Sequence, residues 1–401
     1  MKNILLITPL YPIPYPENNA TDVCHSFAKE WVKQGYNVVV AHFQPVHCMA
    51  WHFLIRLFGK QVANIVGGGN FYARRLRRTE HYVMDDVPVY RIPVYNIIPH
   101  GRFPAASIQK FVAALHSILD KLGFVPDVIT GHMLPMEVIP LVNESYGAAT
   151  CMVEHGIAKK ITSRYSDYEE IISSYSCYGF RSQSIQEEFT RRICPVPNPF
   201  ICYSGIPDNY LEGVPGRSFD EPLTRFLFVG ELIKRKYPGV ILEALHSLYP
   251  DGGVCLKYVG EGPEKSEIEK FASENSVSTS VVFTGKIPRD QIRVCYDESQ
   301  MMIMVSKNEA FGLVYLEAMA RGCIVVGARG EGIDGVIKDG ENGFLCSAGD
   351  LDELRAVIRK VASLQARERE AISEAARSTA RRMTDSSVAA DYAKELSRWS
   401  K

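Results

Sequence analysis

The segment Ser306-Lys307-Asn308-Glu309-Ala310-Phe311-Gly312-Leu313-Val314-Tyr315-Leu316-Glu317-Ala318-Met319-Ala320-Arg321-Gly322 carries two glutamates eight positions apart. The first falls in the loop after a buried apolar run, Met301 to Val305. The second falls about a turn and a half into the helix that the following residues form, so both can face one ligand lying over the helix start. A helix start offers free backbone N–H groups and the positive end of its dipole, which suits a diphosphate. A carboxylate accepts two strong hydrogen bonds, which suits the hydroxyls of a sugar and a ribose. Spacing alone also admits a plain amphipathic helix with two solvated acids. The run Val259-Gly260-Glu261-Gly262-Pro263 holds a Gly-x-Gly deep in the second half of the chain, but the third glycine of a dinucleotide fingerprint is missing.

These residues need strands and helices to hold them. Short apolar or β-branched runs recur at Ile4 to Thr8, Val38 to Ala41, Val128 to Thr130, Thr150 to Glu154 and Ser176 to Phe180, with room for a helix between them. Asp22 to Gln34 has Val23, Phe27, Trp31 and Val32 on roughly one face and Gly35 just past its end, as a helix with a glycine stop would. A second series follows at Phe226 to Val229, Cys255 to Val259, Val281 to Thr284, Met301 to Val305 and Cys323 to Gly327. Between its runs lie helical stretches at Pro238 to Leu248, Glu264 to Glu274 and Val314 to Arg321. Alternating strand and helix signals imply mainly parallel sheets, whose ligands sit at the carboxyl ends of the strands. The expected division is 1–194, rejoined by a final helix at about 383–401, and 195–382, with the proline-rich stretch Cys194 to Phe200 as linker and a cleft between the domains as the active site.

A chain of 401 residues is long enough for two cores. With 46% hydrophobic and 23% charged residues and a formal net charge of −1, it reads as globular, neither disordered nor a nucleic-acid binder with a global positive field. The ten cysteines are scattered without zinc-type pairs, as reduced thiols in a cytoplasmic protein are. Pro9, Pro12, Pro14 and Pro16 interrupt the first apolar run, which reads as a strand and not as a secretion signal. Residues 49–78 combine an apolar stretch, Met49 to Phe58, with the basic cluster Arg74-Arg75-Leu76-Arg77-Arg78. That pairing fits two pictures equally: contact with an anionic membrane at its inner face, or a helix packed on the sheet with a solvated arginine face.

The chain resembles the family 4 retaining glycosyltransferases, whose fold is GT-B: α/β, two Rossmann-like domains facing each other across a cleft. The segment from Glu309 to Glu317 matches that family's E-x7-E element, with Glu-Ala-Met-Ala at its end. Further matches run in order along the chain: Pro126-Asp127-Val128-Ile129 with His132, Glu154-His155-Gly156, Val196-Pro197-Asn198, Phe228-Val229-Gly230, Val259 to Pro263, Phe283-Thr284-Gly285 and Asp339-Gly340-Glu341-Asn342-Gly343.

Residue by residue, the resemblance implies that Glu309 contacts the donor sugar and that Phe311, Gly312 and Leu313 offer backbone groups to sugar and phosphates. Glu317 would hold the ribose hydroxyls, Lys236 the diphosphate with Arg235 beside it, and the turn at Gly285, Lys286 and Ile287 the nucleobase. His155 would be the active-site histidine near the sugar or the acceptor, with His132 less firmly assigned. Two positions depart from the pattern. Glu231 stands where the family has an arginine, and Glu17-Asn18-Asn19-Ala20 stands where it has a glycine pair.

The implied reaction moves a sugar from a nucleoside diphosphate sugar to a hydroxyl of a glycan or lipid-linked glycan, with retention and without metal or cofactor, in cell-surface polysaccharide synthesis. In the family's front-face route the leaving phosphate oxygen helps to take the acceptor proton, and the protein positions the partners and stabilises charge. The rivals are a sugar-nucleotide epimerase of the same fold and a catalytically silent carbohydrate-binding or scaffold subunit, the latter prompted by the two departures.

Overall fold

The computed structural model describes residues 1–15, 22–47, 51, 76–97, 101–156, 161–217, 219, 222–275 and 280–400. The first-loop residues Glu17, Asn18, Asn19 and Ala20, and the insertion's Met49, residues 52–58, Arg74 and Arg75, lie outside them. Arg77 and Arg78 are exposed. The chain divides into two compact units: Met1–Arg181 with Ile185–Cys202 and Val388–Lys401, and Ser182–Ser184 with Tyr203–Ser387.

The first unit is built on an eight-stranded sheet. Its strands are β1 (Asn3–Thr8), β2 (Asn37–His47), β3 (Glu80–Met84), β4 (Val87–Asn96), β5 (Val128–His132), β6 (Ala149–Glu154), β7 (Cys177–Phe180) and β8 (Pro199–Ile201), in the order β3-β4-β2-β1-β5-β6-β7-β8. Each pairing is parallel except β3 with β4. Ile4 to Ile7 of β1 are fully buried between Val38–Ala41 of β2 and Val128–Gly131 of β5, which is why that strand reads as an unbroken apolar run. Pattern reading misses β3 and β4. Their connection is the pair Asp85-Asp86, both at positive φ (47° and 63°), a two-residue hairpin turn made without the usual glycine. Asp85 is held by His25 at 2.9 Å and by Lys29 at 3.0 Å, which pins the hairpin to the helix Val23–Lys33 and keeps the Asp85 carboxyl below its ordinary range.

The expected linker is in part a strand. Pro199–Ile201 pair with Tyr178–Phe180, and the Cys202 amide donates to the Phe180 carbonyl at 2.7 Å, so the division falls after Cys202 and not after residue 194. An edge position is where a sheet tolerates proline. At the other end, Ile206 bridges Thr384, and the Asp385 amide donates to the Ile206 carbonyl at 2.8 Å, which keeps residues 383–387 with the second unit.

The second unit has a six-stranded parallel sheet. Its strands are β9 (Arg225–Val229), β10 (Cys255–Val259), β11 (Ser280–Gly285), β12 (Met301–Ile303), β13 (Ile324–Ala328) and β14 (Phe344–Cys346), in the order β11-β10-β9-β12-β13-β14. The chain order reverses between β9 and β12, so the loops after these two strands emerge side by side. In open α/β sheets that switch point is where ligands bind.

The helix Asp385–Ser397 returns the chain to the first unit. The Trp31 indole N–H donates to the Ala389 carbonyl at 2.9 Å, and the Tyr392 ring lies 5.2 Å from both Phe27 and Trp31 and 5.6 Å from Phe200. Replacing the fully buried Trp31 by alanine removes one wall of this aromatic cluster and is expected to cost about 3–5 kcal/mol. A guanidinium denaturation midpoint that does not move would refute the cluster's role as the anchor of the returning helix.

Candidate functional site

The ends of β9, β10 and β11 are locked to one another through backbone. The Gly230 amide donates to the Val259 carbonyl at 2.9 Å, the Leu232 amide to the Glu261 carbonyl at 3.0 Å, and the Gly260 amide to the Gly285 carbonyl at 2.9 Å. A Cβ on Gly260 would overlap the Gly230 carbonyl oxygen, and one on Gly262 the Leu232 carbonyl. The Gly-x-Gly is therefore an approach of main chain to main chain, not a phosphate cradle.

From that platform the loop after β9 runs into a single 3-10 turn, Lys234–Lys236. The Lys307 amide donates to the Arg235 carbonyl at 2.7 Å, tying this turn to the loop after β12. The Glu309 carboxylate lies 3.3 Å from the Arg235 guanidinium and 3.7 Å from the Lys236 ammonium, and the Ser306 hydroxyl donates to it at 3.4 Å. Glu309 and Lys236 expose only 16% and 14% of their side chains, so this ion pair is shielded from most of the solvent that weakens surface pairs. Glu309 is also fixed by its main chain: its amide donates to a Glu331 carboxyl oxygen at 2.9 Å, and its carbonyl accepts from the Gly332 amide at 2.9 Å.

The helix Leu313–Ala320 begins four residues beyond the site's first acid, at a left-handed cap on Gly312 (φ 84°). Phe311 is buried against Tyr203, ring centroids 5.5 Å apart, and the Tyr315 hydroxyl donates to the Met304 carbonyl. The helix start is thus held next to Glu309, with Arg235 and Lys236 on its other side.

Glu317 is 3% exposed and its carboxylate is already partnered. The Arg289 guanidinium donates to one oxygen at 2.9 and 2.7 Å, and the Tyr296 hydroxyl donates to the other at 2.9 Å. Against the pull of burial, the Glu317 charge holds Arg289 well above the usual guanidinium range. The arginine opens the helix Arg289–Glu298, just after the turn Gly285, Lys286 and Ile287 at the end of β11, so it links that turn to Glu317. Sequence reasoning missed Arg289, Tyr296 and Glu331. Only the place of Arg289, a cation two residues past the turn assigned to the base, marks it in the sequence.

At the departures from the family pattern, Glu231 is exposed and Lys234 is exposed, while Arg235 reaches Glu309. Arg235, and not Lys234, thus places a second cation beside Glu309.

In the first unit, the ends of β5 and β6 bring His132 and His155 together, Nδ1 to Nε2 at 3.0 Å. Burial pushes the fully buried His132 well below the ordinary histidine range. His155 keeps some surface exposed, but the protein around it, then His132 and Arg181, push it the same way. Two neutral rings at this distance share one proton, so the tautomer of one dictates that of the other. His132 Nε2 lies 3.4 Å from the Tyr392 hydroxyl, which also meets Thr130. Among the described residues, no group of three or more His, Cys, Asp or Glu side chains could hold a metal ion, and no helix is long and apolar enough to cross a membrane.

Residues 216–379 match the family model described as Glycosyl transferases group 1. Among curated proteins, the sulfoquinovosyl transferase SQD2 of Arabidopsis thaliana is 34% identical over 141 residues, which are 34% of this chain and 26% of that protein. The lipopolysaccharide core biosynthesis glycosyltransferase LpsE of Rhizobium meliloti is 34% identical over 133 residues, 33% of this chain and 38% of that one. Each match thus spans well under half of the relative's length. Among solved structures, sucrose-phosphate synthase from Thermosynechococcus elongatus superposes with a TM-score of 0.67 at 17% identity, covering 99% of both chains. Anabaena Alr3699/HepE in complex with UDP gives 0.66 at 16% identity, covering 99% of this chain and 100% of that one. These likenesses establish the fold as GT-B.

The backbone lock yields a prediction. Gly260→Ala is expected to cost several kcal/mol of the second unit's stability, because its Cβ has no space against backbone. A melting profile identical to the wild type would mean that the glycine serves a ligand and not the fold.

Proposed function

We propose, from the match of residues 216–379 to the Glycosyl transferases group 1 model, that the chain transfers a sugar from a nucleoside diphosphate sugar to a hydroxyl acceptor and retains the anomeric configuration. The observation that supports this best is the meeting of Arg235 and Lys236 with Glu309 beside the start of the helix Leu313–Ala320. Anion recognition and hydroxyl recognition are adjacent there, as a sugar diphosphate requires.

In this reading the diphosphate takes Lys236, Arg235 and the amides at the helix start. The charge that develops on the leaving nucleotide is stabilised by groups already in place. Once the two cations turn to phosphate, the Glu309 carboxylate is released to the sugar hydroxyls. Phe311, Gly312 and Leu313 supply main-chain contacts, and Gly285, Lys286 and Ile287 take the base. Glu317 acts on the ribose from a fixed position, with Arg289 and Tyr296 as its supports. His155, with His132 behind it, serves the sugar or the acceptor. The acceptor is a glycan or lipid-linked glycan of a cell-surface polysaccharide, met at the cytoplasmic face of a membrane.

Calorimetric titration with UDP, GDP and ADP tests the donor half. One of the three is expected to bind, and Lys236→Ala is expected to weaken it by about tenfold or more, the size of a lost charge-assisted hydrogen bond. Glu309→Gln removes the carboxylate that competes for the two cations, so that affinity should hold or rise while transfer from the matching nucleotide sugar is abolished. If Lys236→Ala binds every diphosphate as the wild type does, the donor assignment is wrong.

The chemistry has its own check. Transfer is expected to persist undiminished in EDTA, and the product's anomeric proton coupling should show the configuration of the donor. An inverted product, or activity that EDTA removes, would rule out the metal-free retaining route.

A further inference from the structure

At the carboxyl ends of β5 and β6 the first unit contains a pocket of about 140 Å3, separate from the groups assigned to the donor. A space of that size takes several waters and suits one small ring. Phe103, Leu134 and Met136 line it with apolar groups, and Arg102, Arg164, Glu154 and Tyr165 with polar ones.

Three features mark it as a binding site and not a packing gap. Met133, on its wall and directly after His132, has φ 53°, a strained conformation for a residue with a long side chain. Arg102 is held over the Tyr165 ring at 4.8 Å, and its guanidinium donates to the Arg164 carbonyl at 3.4 Å, so one cation is aimed at the pocket by an aromatic face and the other's backbone. Glu154 immediately precedes His155, and the Tyr178 hydroxyl donates to only one of its oxygens, at 2.9 Å. A carboxyl group has room for more partners than that, so Glu154 can accept from a ligand hydroxyl.

Charge decides the class of ligand. Two guanidiniums line the pocket against a single carboxyl, that of Glu154. Glu137, 4.0 Å from Arg102, offsets part of that arginine. The balance still favours one anionic group near the arginines with hydroxyls reaching Glu154.

We propose that this pocket binds a single sugar or polyol unit bearing one phosphate or carboxylate, with Arg102 and Arg164 on the anion and Glu154 on a hydroxyl. It deepens the transferase reading and depends on it only for the role of that unit, the acceptor end that receives the sugar. The adjacency of Glu154 to His155 brings a hydroxyl bound there next to the histidine pair.

Methyl-13C methionine labelling of the whole chain reads the pocket through Met133 and Met136, and the donor site through Met304, whose sulfur lies 3.9 Å from the Lys236 ammonium. Glucose 6-phosphate or glucuronate is expected to shift Met133 and Met136 saturably and leave Met304 in place. Neutral glucose and inorganic phosphate should each bind about tenfold more weakly or worse, and Arg164→Gln and Arg102→Gln should each weaken the anionic sugar to a similar degree. A response to the phosphate sugar alone, or to the carboxylate sugar alone, supports the proposal and names its anion.

The proposal is overturned if neither anionic sugar moves the two methyls, if glucose or inorganic phosphate does so equally well, or if both variants, with native methyl dispersion, bind as the wild type does. UDP, GDP and ADP are added separately and read at Met304. Silence there counts against the donor assignment and leaves the pocket standing, so the two failures cannot be confused.

Discussion

Two cations and one carboxylate meet in the second unit, and that ion cluster organises everything around it. Arg235 and Lys236 would repel each other and any further cation were Glu309 not there to neutralise them. Glu309 in turn is held by its main chain to Glu331 and Gly332, so its backbone is fixed beside the two cations. The site without ligand is therefore preorganised but internally satisfied. A diphosphate has the charge to take the lysine and arginine, and doing so leaves an acid with open acceptor sites beside the sugar. On the proposed reading, affinity for the nucleotide and grip on the sugar are coupled through a single exchange of partners.

Glu317 shows the other way of using a buried acid. Its charge is matched by Arg289 and Tyr296 at hydrogen-bonding distance, and removing either partner would strand it in a low-dielectric surrounding. It is a fixed point, whereas Glu309 is a contested one. The eight-residue spacing puts both on one helix entry, but their environments give them different work.

The first unit follows a parallel logic with different chemistry. Its strand ends carry a pair of neutral histidines in place of an ion cluster, linked through His132 to Tyr392 on the returning helix. The same helix packs on Trp31 and Phe27, so the stability of the unit and the orientation of the histidines rest on one aromatic cluster. The family match lies wholly within the second unit. The basic pocket of the first unit lies outside the matched residues.

Much of this was legible in the residues themselves. Buried parallel strands are continuous apolar runs, and β1, β6, β9 and β12 announce themselves that way because both faces are covered. The acids of the site and Lys236 could be placed at strand ends because loops follow such runs directly. What local pattern could not supply was adjacency. Asp85-Asp86 makes a hairpin because its turn is steadied by His25 and Lys29, sixty and fifty-six residues earlier, and Pro199–Ile201 becomes a strand only because β7 offers a free edge. Arg235 meets Glu309 across 74 residues for the same kind of reason: β9 and β12 are neighbours although β10 and β11 lie between them in the chain. Composition and periodicity determine which residues are strands and which loops carry charge. Strand order, set by packing over the whole sheet, decides which of those charges touch.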